Sequence, residues 1–124
     1  MAQLAKRYDG RTITRLEELA QREAVSANFL VQILNDLRRA GVIESRRGKA
    51  GGYLLARPPE AINLKEIVDA VEPSLLSINT HTEGESGNAV RQIWKTVSEH
   101  TQTQLESIDL KQLTERGNEP MYYI

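Results

Sequence analysis

Apolar residues recur at helical spacing over residues 29–37. The residues of this stripe are Phe29, Leu30, Ile33, Leu34 and Leu37. Ser26 stands just before the stripe, where a hydroxyl can accept a hydrogen bond from an amide of the first helical turn. Gly41 stands just after it, where a left-handed residue commonly ends a helix. The pattern therefore predicts a helix over Ala27–Ala40, with the five apolar side chains in one stripe along it.

Two short apolar segments follow this helix and flank a basic, glycine-rich stretch. Val42–Arg46 and Tyr53–Arg57 are typical of strands, and residues 47–52 read Arg-Gly-Lys-Ala-Gly-Gly. Strands separated by a glycine-rich turn predict a hairpin. A helix followed by a basic hairpin indicates a winged helix-turn-helix, so the predicted fold class is mainly α with a small β-hairpin wing.

Capping patterns predict helices on both sides of this unit. Thr14 and Glu17 have the Thr-x-x-Glu spacing of a capping box, which predicts the first helix of the helix-turn-helix pair. Asn63 and Glu66 have the equivalent spacing and predict a further helix after the hairpin, which Pro73 ends.

A polar connector and a long amphipathic helix make up the rest of the chain. The helix is predicted over Ala89–Ser107, and its apolar stripe consists of Val90, Ile93, Trp94, Val97, Thr101 and Leu105. Such a stripe must pack either on its own domain or on a second copy, and we favour a symmetric dimer because DNA-binding dimers read two half-sites. The expected divisions are a DNA-binding domain at 1–73, a connector at 74–88, and a dimerisation helix with a C-terminal segment at 89–124.

Charge is distributed unevenly along the 124 residues. Residues 1–60 carry 11 cations and 7 acids, and residues 61–124 carry 5 cations and 10 acids. A basic front half suggests that only this part faces a polyanion such as double-stranded DNA. The chain has no cysteine, no apolar run near membrane-span length and no signal-peptide pattern, so we expect a cytoplasmic protein without disulfides.

The DNA-binding interpretation assigns roles to eight polar or basic residues of the helix and the hairpin. At the start of the helix, Ser26, Asn28 and Gln32 are candidates for base or phosphate contacts. The expected phosphate contacts are Arg38, Arg39 and Arg46, and the expected groove contacts at the hairpin tip are Arg47 and Lys49. The alternative is that these are solvated surface charges and that the fold serves as a protein-interaction module without DNA.

Candidate catalytic or metal-binding residues are sparse. His81 lies in the polar connector and His100 lies off the apolar stripe, so both are expected to be exposed rather than ligands. The glycines of the hairpin are not followed by a helix or by Lys-Ser/Thr, which disfavours a phosphate-binding loop. We therefore expect no enzyme, no metal site and no cofactor.

The same residues resemble the Rrf2 family of bacterial winged-helix regulators. The matching segments are Ser26-x-x-Phe29-Leu30-x-Gln32-x-Leu34, then 37–43, then Ser45-x-Arg47-Gly48-x-x-Gly51-Gly52-Tyr53-Leu54-Leu55, and finally Ile62-x-Leu64 through 70–72. This resemblance implies a dimer with a long helix crossing between protomers. It also implies DNA contacts at Ser26, Asn28, Gln32 and Arg47.

The chain departs from that family in three respects. It lacks the three cysteines with which some members hold an iron–sulfur cluster, and Val31 stands where many members carry a glutamate that helps to choose the operator. Family chains also usually begin with a longer first helix, so we expect either a longer native protein or fewer phosphate and dimer contacts at this end. The C-terminal half, with Trp94 and residues 121–124, is similar to a cysteine-free member that represses cysteine metabolism. That similarity implies control through a partner enzyme of cysteine biosynthesis.

Overall fold

The computed structural model describes residues 1–77 and 84–117 of the chain. The described residues form six α-helices and one antiparallel hairpin, in the order α1 (Ala2–Lys6), α2 (Leu16–Arg22), α3 (Ala27–Arg39), β1 (Ile43–Arg46), β2 (Gly52–Leu55), α4 (Leu64–Val71), α5 (Gly87–Glu106) and α6 (Leu110–Gly117). A single 3₁₀ turn at Pro59–Ala61 links the hairpin to α4. The predictions for His81 and for residues 121–124 lie outside the described residues.

One hydrophobic core joins the N-terminal helices, the hairpin and α6. Its buried members are Leu4, Ala5, Leu19, Leu34, Leu37, Val42, Ile43, Leu55, Ile62 and Leu110. The Leu110 amide donates to the Ile62 carbonyl at 2.9 Å, and the Leu64 amide donates to the Ile108 carbonyl at 2.9 Å. These bonds hold α6 beside the start of α4. Helix α6 thereby completes the hydrophobic core to which α3 also contributes. The division of the chain at residues 73 and 88 stays a prediction.

Helix α3 begins and ends as its sequence predicts. The Ser26 hydroxyl oxygen accepts a hydrogen bond from the Phe29 amide at 3.1 Å, and Gly41 follows the helix with φ +78°. The apolar stripe of α3 is not buried along its whole width, because the Phe29 side chain is 56% exposed. Leu34 and Leu37 are buried and define the inner face of α3. Phe29 lies about one residue's rotation away from that face, at its edge.

The predicted capping box at Thr14 and Glu17 is also wrong. Helix α2 starts at Leu16 with Arg15 at the N-cap position, and no side chain caps it. Thr14 instead pairs with Tyr53 of the hairpin: the Thr14 amide donates at 2.9 Å and the Tyr53 amide donates at 2.8 Å to each other's carbonyls. This isolated bridge ties residue 14 to the hairpin, and the Thr14 side chain is buried there instead of capping α2.

The capping box at the start of α4 is confirmed. The Glu66 amide donates to the Asn63 side chain at 3.0 Å, and the Asn63 amide donates to the Glu66 carboxylate at 3.0 Å. Helix α5 then starts two residues before its predicted position, and the Ser98 hydroxyl donates to the Leu76 carbonyl at 2.6 Å. No helix within the described ranges is long and apolar enough to cross a membrane.

Candidate DNA interface

The first two turns of α3 present two amide side chains to solvent. Asn28 and Gln32 are both exposed, and their spacing of four residues places them on one face of the helix. Val31 is half-buried beside them. Ser26 is exposed, and its hydroxyl oxygen accepts the capping bond from the Phe29 amide, which leaves the O–H donor and one lone pair for a further contact.

The predicted phosphate-binding arginines are exposed, and two of them have acidic neighbours. Arg39 lies 3.3 Å from the Asp36 carboxylate, and Arg46 lies 3.1 Å from the Glu44 carboxylate. Both pairs are largely solvent-exposed, where an ion pair contributes little to stability and can be exchanged for a phosphate. Arg38 is exposed in the last turn of α3.

The hairpin tip carries its two cations on a tightly folded turn. Arg47 and Lys49 are exposed, and neither forms an ion pair with any residue in the described ranges. Gly48 has φ +112°, and the Gly51 amide donates to the Gly48 carbonyl at 2.9 Å. A Cβ at Gly51 would lie 2.5 Å from the Arg46 carbonyl oxygen, so this turn admits no side chain there. The tip therefore displays positive charge on a backbone of defined shape.

Arg15 holds this tip against the start of α2, a contact that sequence reasoning missed. Its guanidinium donates to the Lys49 carbonyl, across 34 residues of sequence. Gly52 reinforces the same junction, because a Cβ there would collide with the Thr14 carbonyl. No local pattern could have identified Arg15, since its partner is a backbone atom that only the folded hairpin brings near. The wing is thus attached to the helix-turn-helix at Arg15 and Thr14.

Arg57, at the base of the wing, is engaged by the protein itself. It donates to the Ala61 carbonyl at 2.9 Å and lies 2.7 Å from the Glu66 carboxylate. Burial by itself would raise the pKa of Glu66, but the hydrogen bonds from Arg57 and from the Asn63 amide outweigh it and lower that pKa. This cation therefore fixes the link between the hairpin and α4, whereas Arg47 has no ion-pair partner among the described residues.

The apolar stripe of α5 is exposed in its first half and partly buried in its second half. Its N-terminal residues Val90, Ile93, Trp94 and Val97 are exposed, and Ile93 is 64% exposed. Thr101 and Leu105, further along the same stripe, are only partly exposed, where α5 packs on α4. Residues 1–77 and 84–117 therefore leave the first half of the predicted dimerisation stripe exposed.

A helix-turn-helix pair followed by an antiparallel hairpin defines a winged helix-turn-helix regulator. The sequence matches the Rrf2 family, described as "Iron-dependent Transcriptional regulator", over residues 1–116. The chain belongs to the Rrf2 family of transcriptional regulators, as its motifs predict.

Curated relatives support this membership. The HTH-type transcriptional regulator IscR of Cereibacter sphaeroides is 31% identical, over 90% of this chain and 76% of the relative. The HTH-type transcriptional regulator CymR of Bacillus subtilis is 32% identical, over 91% of this chain and 80% of the relative. Both alignments extend through α3 and the hairpin into α5.

Solved structures confirm the winged-helix fold. CymR, the global cysteine regulator of B. subtilis, superimposes with a TM-score of 0.77 at 30% identity, over 93% of this chain and 87% of that one. T. potens IscR superimposes with a TM-score of 0.76 at 28% identity, over 99% of this chain and 83% of that one.

The iron named in the family description finds no matching ligands here. The chain has no cysteine, so a thiolate-ligated iron–sulfur cluster cannot form on its side chains. Within residues 1–77 and 84–117, no three histidine or acidic side chains converge as a metal site either. His100 is exposed on α5. The side chains of residues 1–77 and 84–117 therefore do not fit an iron centre.

Proposed function

We propose that this protein is a homodimeric, sequence-specific DNA-binding repressor. Helix α3 enters the major groove with Ser26, Asn28 and Gln32 toward the bases, and the hairpin wing places Arg47 and Lys49 in the adjacent groove. The phosphate backbone is met by a second set of cations, Arg38, Arg39 and Arg46. The protein acts by binding, and no step of catalysis is assigned to it.

A single arrangement carries this proposal. A capped helix exposes two amides, and the hairpin after it exposes Arg47 and Lys49 without a carboxylate partner among the described residues. Unpaired cations beside uncharged hydrogen-bonding side chains suit a DNA duplex. The cations can bind phosphates, and the amides can bond to base edges. The membership in a family of transcriptional regulators supports the same function.

Substitution of Arg47 tests the role of the wing. We expect Arg47→Ala to weaken operator binding by about 1–3 kcal/mol, because a groove contact and a counterion-releasing charge are both lost. The matched control is Arg116→Ala, which removes the same charge from an exposed position in the last turn of α6. Fluorescence anisotropy over a series of salt concentrations measures both. Equal losses for the two variants would remove the wing from the interface.

Substitution of Gln32 separates sequence reading from general affinity. We expect Gln32→Ala to relax the base preference in a selection from random duplexes while non-specific binding stays nearly constant. An unaltered selected motif would show that Gln32 reads no base.

The exposed half of the α5 stripe supports the dimer. Val90, Ile93, Trp94 and Val97 would lose contact with water if two copies paired along this segment. We expect Ile93→Asp to give a monomer in sedimentation experiments, because a carboxylate would be buried at the seam. The control is Gln92→Asp, an adjacent exposed position on another face of α5. A dimer that survives Ile93→Asp would place the contact elsewhere.

The similarity to CymR suggests genes of cysteine or sulfur metabolism as targets, with an enzyme of cysteine biosynthesis as a partner protein. Genome-wide mapping of bound sites in the native cell tests the first point, and co-purification at native concentration tests the second. Bound sites that are absent from such genes would redirect the assignment while leaving DNA binding intact.

A partner-binding module without DNA contact is the competing function. The acidic balance of residues 61–124 and the uncovered α5 stripe are the observations that favour it. DNA affinity that falls steeply with salt supports the repressor, whereas no binding even at low salt supports the module.

A further inference from the structure

The exposed front of α3 carries no charged side chain. From Val25 to Asn35 the sequence contains no Asp, Glu, Lys or Arg, and Asp36 is the first charge. Arg38 follows Asn28 by ten residues, which places it about 15 Å further along the helix axis. Recognition helices of this class contact base edges mainly with their N-terminal residues. The end of α3 that meets the bases therefore offers only amides, one capping hydroxyl and apolar groups.

Two apolar side chains lie beside the amides on this front. Val25 and Phe29 are both exposed, and Phe29 is 56% exposed. Val25 stands just before the N-cap residue Ser26, and Phe29 lies in the first turn of α3. Phe29 precedes Gln32 by three residues, so these two side chains are neighbours on the helix surface. The Phe29 ring would remain exposed to water unless the surface that binds Asn28 and Gln32 also covers the ring.

Each base edge in the major groove requires a particular kind of side chain. Guanine shows two acceptors and is read by Arg or Lys, whereas cytosine shows a donor and is read by Glu or Asp. Adenine shows one acceptor and one donor, which match an Asn or Gln amide, and thymine adds a methyl group that suits an apolar side chain such as Phe. The front of α3 carries the amide and apolar side chains that suit A·T pairs, and it lacks the charged side chains that suit G·C pairs.

We propose that α3 reads a run of A·T base pairs, with Asn28 and Gln32 bonding adenine and Phe29 packing on thymine 5-methyl groups. This inference rests on the proposed DNA-binding function and specifies its substrate. It gives Phe29, the exposed member of the apolar stripe of α3, a role in specificity. It also accounts for Val31, because no acidic side chain stands there to select cytosine.

Uracil substitution in the DNA tests the methyl contact without altering the protein. A binding site is first selected from random duplexes by the full chain, and each thymine is then replaced by uracil, which removes only the 5-methyl group. We expect a loss of about fourfold in affinity at each thymine covered by Phe29, the value for one buried methyl-sized group. Phe29→Ala should bind the thymine and uracil duplexes with affinities equal to within about twofold, because the partner of the methyl group is already gone.

Phe29→Leu is a second variant, which keeps an apolar side chain and should retain part of the preference for thymine. Selected half-sites that place G·C pairs under α3, or an affinity of the unmodified protein that ignores uracil at every thymine, would overturn the inference while the repressor function stands. Failure to enrich any duplex, together with no binding at low salt, would instead remove the proposed function itself.

Discussion

Replacing Leu110 with alanine tests whether α6 completes the core beneath the recognition helix. Leu110 is 0% exposed, and its amide donates to the Ile62 carbonyl at 2.9 Å. Asp109 caps the same helix by accepting from the Gln112 amide at 2.8 Å, so the backbone here cannot easily move to fill a cavity. We therefore expect a loss of about 3 kcal/mol in the free energy of unfolding, inside the range of about 2–5 kcal/mol for a buried leucine.

The assay is urea unfolding followed by circular dichroism, at one fixed protein concentration because self-association changes apparent stability. Leu113→Ala is the matched control: this leucine lies one turn further along α6 and is 40% exposed. Its loss should be about 1 kcal/mol or less. If the two substitutions cost the same, α6 does not belong to the core, and the packing described for residues 110–117 would be refuted.

Three further substitutions test local features of the interface and its support. Arg15→Gln should release the wing tip, so that tryptic cleavage after Lys49 accelerates and DNA affinity falls several-fold, whereas Arg11→Gln, an exposed neighbour, should change neither. Asn63→Ala removes the capping box of α4 and should cost about 1 kcal/mol in thermal unfolding. Bonds from the Thr12 hydroxyl and amide lower the pKa of Asp9 to about 2. Because the folded pKa is depressed, this stabilisation is present above about pH 4 and is lost as pH falls toward 2. NMR titration measures the pKa, and Asp9→Asn should flatten that part of the stability profile.

Features set by neighbours in sequence were predictable. Ser26 and Asn63 cap their helices as expected, because each bonds an amide only three residues away. Gly41 ends α3 with φ +78° for the same local reason. The pattern of the hairpin also identified the wing, although the observed strands are shorter than predicted.

Features set by distant residues were not predictable. The Thr-x-x-Glu spacing at Thr14 fits a capping box, but pairing with Tyr53 takes the residue into the sheet. Phe29 shares helical spacing with its apolar neighbours, yet only one arc of α3 faces the core. Leu110 belongs by sequence to the C-terminal segment and by packing to the N-terminal core. In each case residues distant in sequence determine whether the side chain is paired or buried, and local periodicity does not predict these contacts.

Helix α5 joins two surfaces that the proposed repressor must coordinate. It contacts α4, and its Ser98 hydroxyl donates to the Leu76 carbonyl at 2.6 Å. Its N-terminal half carries the uncovered stripe around Ile93 on the same continuous helix of 20 residues. If two copies pair there, the distance between their recognition helices depends on how α5 sits on α4. A partner protein or ligand that shifts this packing would change half-site spacing, and hence DNA affinity, without touching α3.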